Sequence, residues 1–340
     1  MMGLRVIAAG PGATLQDRGR HGWLRFGVTP AGPMDRLAFA TANRAVGAAP
    51  DAPAIEVSLG GLDVAAEGAA FSVAVAGGSF RITLDGHELP PATRVELEPR
   101  ARLSIRPGSA GSWTYLAVAG RFDVTPVLGS VATHTRSGLG GLHGRALAAG
   151  DFLPVCEPRC LRPSIARVAT PWLDRPGNTI SVMLGPQDDY FDADQIAVFL
   201  TADWTVSARS DRMAYGLEGP RLHHAKGFNI VSDGIAMGAI QVLGEGRPMV
   251  LMADRQPTGG YPKIATVIGP ELGRLAQLRP GTRLRFAPVS VTQAVAARQA
   301  EAQALMAPLQ LEALTRTEFS PEFLLGLNLI GGVSAGREIP

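Results

Sequence analysis

The chain has 340 residues, 46% of them hydrophobic and 18% charged, with a net charge of +2 and no single-sign charge block or low-complexity tract. Such a composition excludes a disordered chain, and arginines interleaved with acids leave no electrostatic footprint for nucleic acid. No apolar run approaches the ~20 residues of a membrane span, and "MMGLRVIAAGPGA" lacks a charged leader with a long apolar core, so a cytoplasmic protein is expected.

In chain order, short β-branched or alternating runs recur between Gly, Pro and Asp: "LRVIAAG", "IEVSLGGLDVAA", "FSVAVAGG", "FRITLDG", "RVELEP", "RLSIRPG" and "WTYLAVAG". That rhythm predicts a sandwich or barrel, and the 41 Gly and 26 Pro supply its turns. One helix interrupts the strands, "PMDRLAFATANRAVG", with Pro33 expected in its first turn, Leu37, Ala40 and Val46 on one face, and Gly47 ending it. From Gly150 to Asn178 the pattern loosens into a Pro- and Arg-rich stretch that reads as a crossing between two units. Within it, Cys156 and Cys160 have neither zinc nor thioredoxin spacing and read as reduced thiols.

A second β-rich half follows with "TISVMLG", "WTVSARS", "AIQVLG", "PMVLMAD", "KIATVIG" and "TRLRFAP", and helices are expected at Asp192 to Leu200 and Glu271 to Leu278. After Pro288 the composition turns to Ala, Gln, Glu and Leu, which predicts a long helix capped by Ser290 or Thr292. The last segment, "FLLGLNLIGGVSAGREIP", is apolar but too short and glycine-rich to cross a bilayer, and reads as a docking or partner contact. These signals predict a mainly β protein with peripheral helices: a barrel domain over 1–165, a second over 178–288, and a helical extension over 289–340.

Four stretches place charged groups beside glycines. "QDRGRHG" crowds Gln16, Asp17, Arg18, Arg20 and His21, with Asp35 nearby at the start of the early helix; a solvated arginine loop fits the same residues. "TRSGLGGLHGRAL" is glycine-dense, yet both the P-loop and the dinucleotide spacing fail. In "ARSDRMAYGLEGPRL" a strand would put Arg209, Asp211 and Tyr215 on one face and Arg212 on the other, although ion-paired structural arginines account for it equally. The fourth is "DRQPTGGYPKIATVI". Of 32 basic residues, lysine occurs only at Lys226 and Lys263, and Lys263 sits where a glycine turn enters an apolar strand. A lysine there is held by a rigid element and can move a proton where a guanidinium cannot. No H-E-x-x-H, paired C-x-x-C or G-x-S-x-G occurs, so no structural metal is expected, and no biotin attachment segment is present.

Together "TLQDRGRHGWLRFGVTPAGPMDRLAFATANRAVG", "AIEVSLGGL", "YLAVAGRFDVTPVLGS", "GLGGLHGRALAAGD", "SDRMAYGLEGP", "AIQVLGEGRPMVLMAD" and "TGGYPKIATVI" resemble the allophanate hydrolase subunit 2 family, over roughly residues 4 to 290. That family includes the C-type subunit of bacterial ATP-dependent 5-oxoprolinase, the antagonist subunit of the histidine-kinase-inhibitor pair, and the second part of the urea carboxylase carboxyltransferase domain. The resemblance implies two cyclophilin-like β-barrels with a site between them and a separately encoded partner of the subunit 1 type. It places the family's motifs on Gln16, Asp17, Gly19, Arg20, Gly22, Asp35, Arg212, Tyr215, Gln241, Asp254, Gln256, Thr258, Gly259, Gly260, Tyr261 and Pro262. Three positions depart from it: Pro257 stands for a usual Thr, Ala214 for a Gly and Met237 for a Pro.

What the resemblance implies for function is a subunit of an ATP-dependent amide hydrolase of the 5-oxoprolinase type, with a small lactam or urea-like substrate and, beside the subunit 1 type partner, a third, lactam-opening subunit. Lys263 and Arg212 would then neutralise charge on the amide oxygen, while Asp254 or Asp35 would orient water or accept a proton. Gln16, Asp17, Arg20, Tyr215, Gln256, Thr258, Gly259, Gly260 and Tyr261 would contact the substrate. ATP with Mg would bind at the level of the complex. The alternatives are a carboxyltransferase half, whose biotin would arrive on another chain, and a non-catalytic regulatory binding subunit.

Overall fold

The structure is a computed structural model, and it describes residues 2–175 and 177–314. It is mainly β, with four α-helices among the described residues: α1 (Arg36–Ala45), α2 (Ala193–Thr201), α3 (Gly269–Gln277) and α4 (Val291–Met306). The first half folds as two seven-stranded sheets. One runs in the order Arg121–Phe122, Phe152–Cys156, Gly3–Ala9, Leu62–Glu67, Arg102–Arg106, Arg81–Leu84, His87–Leu89. The other runs Thr14–Gln16, Ala54–Val57, Thr114–Val118, Phe71–Gly77, Thr93–Leu97, Ile165–Val168, Leu311–Ala313.

Side-chain alternation explains how these sheets are layered. In Phe71–Gly77, Phe71, Val73 and Val75 point into the core shared by both sheets, whereas Ala74 and Ala76 point to the opposite face and meet α1. Leu116 and Val118 repeat the pattern against Tyr115 and Ala117. Small residues on the helix side let α1 lie close, and eight of its ten residues are buried. Pro33 lies outside this helix. Asp35 is the N-cap instead, its Oδ1 accepting from the Ala38 amide at 3.2 Å, and Gly47 takes φ +67° just beyond the end.

The second half closes completely. Thr179–Leu184, Lys263–Val267, Ala239–Val242, Pro248–Leu251, Ala214–Glu218, Trp204–Val206 and Arg283–Pro288 form a seven-stranded barrel, sealed by parallel pairing of the first and last strands. Its core holds Trp204, Phe199, Phe286 and Ile264, and also Met34 and Trp113 from the first half, so the halves interlock. Residues 209–212, read as a possible strand, form the turn before Ala214–Glu218: Asp211 accepts from the amides of Met213 (2.7 Å) and Ala214 (3.1 Å).

Part of the stretch read as a crossing belongs to the first half, because Ile165–Val168 pairs with Thr93–Leu97. The extension also differs from expectation in its path. α4 starts at a Ser290/Gln293 capping box and ends at Met306; the chain then returns to the first half, where Leu311–Ala313 pairs with Ile165–Val168. The apolar segment after Phe323 lies outside the described residues. Among the described residues no helix is long and apolar enough to cross a membrane.

Candidate functional site

The motif residues separate into three groups. The first is a charged cluster at the junction of the halves. The Arg212 guanidinium grips Asp254 with two bonds (Nε to Oδ2, 2.9 Å; Nη2 to Oδ1, 2.8 Å), donates to the Gly32 carbonyl at 2.8 Å, and donates through Nη1 to Glu56 across the junction. Glu56 also accepts from the Met34 amide and the Tyr115 hydroxyl, both at 2.8 Å. Burial alone would lower the pKa of Arg212, but Asp254 and Glu56 hold it above its ordinary value; burial pushes the Glu56 carboxyl up against the pull of Arg212. With two carboxylates on one guanidinium, the cluster has no positive charge left for a ligand. Tyr215 belongs to the same junction, its hydroxyl accepting from Trp113 Nε1 at 3.0 Å and donating to the Ala276 carbonyl at 2.8 Å. Arg212, Asp254 and Tyr215 do border a cavity of about 420 Å³ between the halves.

Asp35 is committed elsewhere. Besides capping α1, its Oδ2 accepts from Arg175 at 2.7 Å and from Gln277 at 3.1 Å. It is 1% exposed, which suits a strut better than a base that meets water.

The second group joins "QDRGRHG" to residues 127–133, just ahead of the glycine-dense stretch. Asp17 accepts from Gly19 N (2.9 Å), Ser130 Oγ (2.6 Å) and Val131 N (2.8 Å). Arg20 donates to the carbonyls of Val127 (2.9 Å) and Ala132 (2.8 Å), and Gln16 donates to that of Thr133 at 3.1 Å. Gln16 and Arg20 are at most 1% exposed. These side chains organise a loop, and neither a solvated arginine loop nor a phosphate cradle describes them.

The third group surrounds Lys263, the first residue of the strand Lys263–Val267. Its side chain is 3% exposed, and its Nζ donates to Asp233 at 2.9 Å, its single hydrogen-bond partner among the described residues. Asp233 is half-exposed, and the hydrogen bond from Lys263 holds its carboxyl below the usual range. The Lys263 amide donates to Gln187 Oε1 at 3.2 Å, and Gln241 is its cross-strand partner at an irregularity in the ladder. Thr258–Gly259 pairs with Asp233–Gly234 and carries the glycine turn over these side chains. Neither Gly259 nor Gly260 has positive φ, so conformational freedom is not what the turn takes from them. Close approach explains Gly259 instead: a Cβ there would lie 2.7 Å from both Gln241 Nε2 and Ile235 Cδ1. Pro257 fits because its carbonyl, accepting from Ile235 N at 3.0 Å, is the group the turn uses. Thr258 and Tyr261 are exposed and Gln256 half-buried.

The structure therefore does not bring Lys263 and Arg212 together. Every side chain bonded to Lys263 comes from the second half, so its ammonium sits at the mouth of the second barrel and not in the junction. The other lysine differs in kind: Lys226 is exposed and pairs with exposed Asp189 at 2.6 Å. Sequence reasoning missed Glu56, Asp233 and Gln187. Glu56 could have been found as a lone carboxylate inside the apolar run "AIEVSL"; Asp233 and Gln187 lie in ordinary turn sequences and carry no such signal.

A junction of two β units with these motif clusters defines a carboxyltransferase-type fold, and residues 26–288 match the family described as carboxyltransferase domain, subdomain A and B; the chain belongs to that family. The C-type subunit of 5-oxoprolinase from Escherichia coli K12 is 37% identical over 296 residues, covering 87% of this chain and 94% of that protein. Urea amidolyase of Saccharomyces cerevisiae is 33% identical over 84% of this chain but only 17% of its own length. The solved structure of K. lactis urea amidolyase superposes with a TM-score of 0.83 at 29% identity, covering 89% of this chain and 20% of that one. These matches bear out the kinship that the motifs imply.

Proposed function

We propose that the chain is a subunit of an ATP-dependent amide hydrolase of the 5-oxoprolinase type, working with a subunit 1 type partner and a lactam-opening subunit. The observation that carries this reading is coverage: the chain aligns with 94% of a C-type 5-oxoprolinase subunit and with 17% of a urea amidolyase. The P-loop spacing is absent from the sequence. Within this reading ATP with Mg binds at the level of the complex.

Within this reading Lys263 is the group that meets the amide oxygen. It is buried, held at the end of a strand, and bound to one half-exposed carboxylate, whereas Arg212 is saturated. A preorganised ammonium in a site shielded from water stabilises developing negative charge. Gln187 and Asp233 position it, while Thr258, Tyr261 and Gln256 offer contacts from the turn above. Arg212, Asp254 and Asp35 hold the two halves in register.

The test is reconstitution. Co-expression with the partner subunits should give ATP-dependent 5-oxoproline hydrolysis, and Lys263→Ala should lower kcat roughly a hundredfold, the cost of losing one such donor. Full turnover by both Lys263→Ala and Lys263→Arg would remove the residue from the mechanism. Carboxyl transfer from added carboxybiotin, with no lactam opening, would favour the carboxyltransferase reading. An inactive but tight complex would favour a regulatory subunit.

A further inference from the structure

A second cavity lies apart from the Lys263 cluster, where residues 18–36 of the first half face the start of α3 (residues 268–272) in the second and α4 forms a wall. It encloses about 530 Å³, a size suited to a small molecule. Arg255 is the buried charged member of its lining, at 7% exposure. Its Nε and Nη1 donate to the carbonyls of Ile235 (2.9 Å) and Met252 (3.4 Å), and among the described residues it makes no ion pair. The adjacent Asp254 carboxylate is spent on Arg212. Burial pulls the Arg255 guanidinium down to about 10, and the neighbouring Asp254 charge opposes this only in part.

Three more guanidinium groups line the same cavity from exposed positions. Arg18 has a loose contact with Asp51 at 3.9 Å, and Arg36 and Arg298 make no ion pair among the described residues. One carboxylate, Glu301, faces these four cations; burial pushes its carboxyl up, with Arg36 and Arg298 opposing. Met237 and Leu272 supply apolar surface beside the charges. A buried guanidinium without a carboxylate is costly, and an incoming anion that bonds to it would remove that cost.

We propose that this cavity binds a small ligand bearing an oxyanion, phosphate or carboxylate, on a compact body with an apolar face. The anion meets Arg255 and is gripped by Arg36 and Arg298, which makes α4 part of a binding site as well as a connector. The proposal concerns binding, so it stands or falls apart from the hydrolase reading.

Calorimetric titration of the full chain at low ionic strength, with inorganic phosphate and 5-oxoproline as separate probes, tests it. At least one probe should bind with a stoichiometry of one, weakening as salt is added. Arg36→Ala and Arg298→Ala, both at exposed positions where folding is safe, should each weaken binding roughly tenfold, as loss of a charge-assisted hydrogen bond does. Phosphate alone would identify a phosphoryl-bearing ligand, 5-oxoproline alone a carboxylate, and both a shared oxyanion seat. Binding of neither probe, or variants that bind as tightly as the unaltered chain, would overturn the proposal.

Discussion

Arg212 meets two carboxylates and a carbonyl oxygen, while Lys263 meets one half-exposed carboxylate, so two cations that look alike in sequence differ in what they can still bind. The same reasoning by partners applies to Asp63, a fully buried carboxylate in Leu62–Glu67. It accepts from Ser104 Oγ at 2.6 Å and Arg106 Nη2 at 2.8 Å, and also from Arg102. Burial alone would push the carboxyl up, but these hydrogen bonds hold it below its ordinary value. A folded pKa below the unfolded one means that the unfolded chain binds more protons between the two values. Stability from Asp63 is therefore present above about pH 4 and lost as pH falls through the folded value. Asp63→Asn should cost about 2 kcal/mol at neutral pH. Denaturant unfolding from pH 7 to 3 should show the gap between the two proteins closing at the acid end; a constant gap would mean that the carboxylate charge contributes nothing.

At the scale of elements, α4 is the one α-helix among the described residues with no buried residue. It nonetheless packs along α1 and α3. Its order rests on Ala-rich helix propensity and on the capping box, in which Ser290 Oγ accepts from Gln293 N at 3.2 Å and Gln293 Oε1 accepts from Ser290 N at 2.8 Å. Ser290→Ala should remove about 1 kcal/mol from that helix. Amide exchange should then accelerate in α4 while α1 keeps its protection, and equal rates with and without Ser290 would show that packing alone holds the helix. Ser290 was visible as a cap in the sequence because capping is local, and so were strands such as Phe71–Gly77, whose pattern of large and small residues repeats every two positions. Asp35 displaced Pro33 as the start of α1 because its side chain closes the first turn and a proline ring cannot. Leu311–Ala313 carries no local strand signal; it becomes a strand only because Ile165–Val168 offers an unpaired edge. The site was legible as motifs but not as neighbours: Arg212 and Glu56 are separated by 156 positions, and only the fold shows that the guanidinium is already satisfied.

Across the whole molecule, the two halves are joined in two ways. Met34 and Trp113 insert apolar surface into the second core, and the Arg212 cluster ties Glu56 of the first half to Asp254 of the second. Gln277 adds a polar seam, its Oε1 accepting from the amides of Ser112 (2.9 Å) and Trp113 (3.1 Å). The apolar insertion stabilises contact without fixing orientation, whereas a bidentate pair with a second carboxylate across the junction fixes both. Arg212→Met keeps the volume and removes the charge, leaving Glu56 and Asp254 buried without a cation, which typically costs ~3–5 kcal/mol. Because the loss falls at the junction and not in either core, calorimetry should show one cooperative transition in the unaltered chain separating into two, the halves melting at different temperatures. Since Lys263 and its partners lie wholly in the second half, the variant should keep the Asp233–Lys263 pair intact. A single transition displaced by less than about 1 kcal/mol would show that the apolar insertion alone couples the halves, and that the ionic cluster acts on register without setting stability.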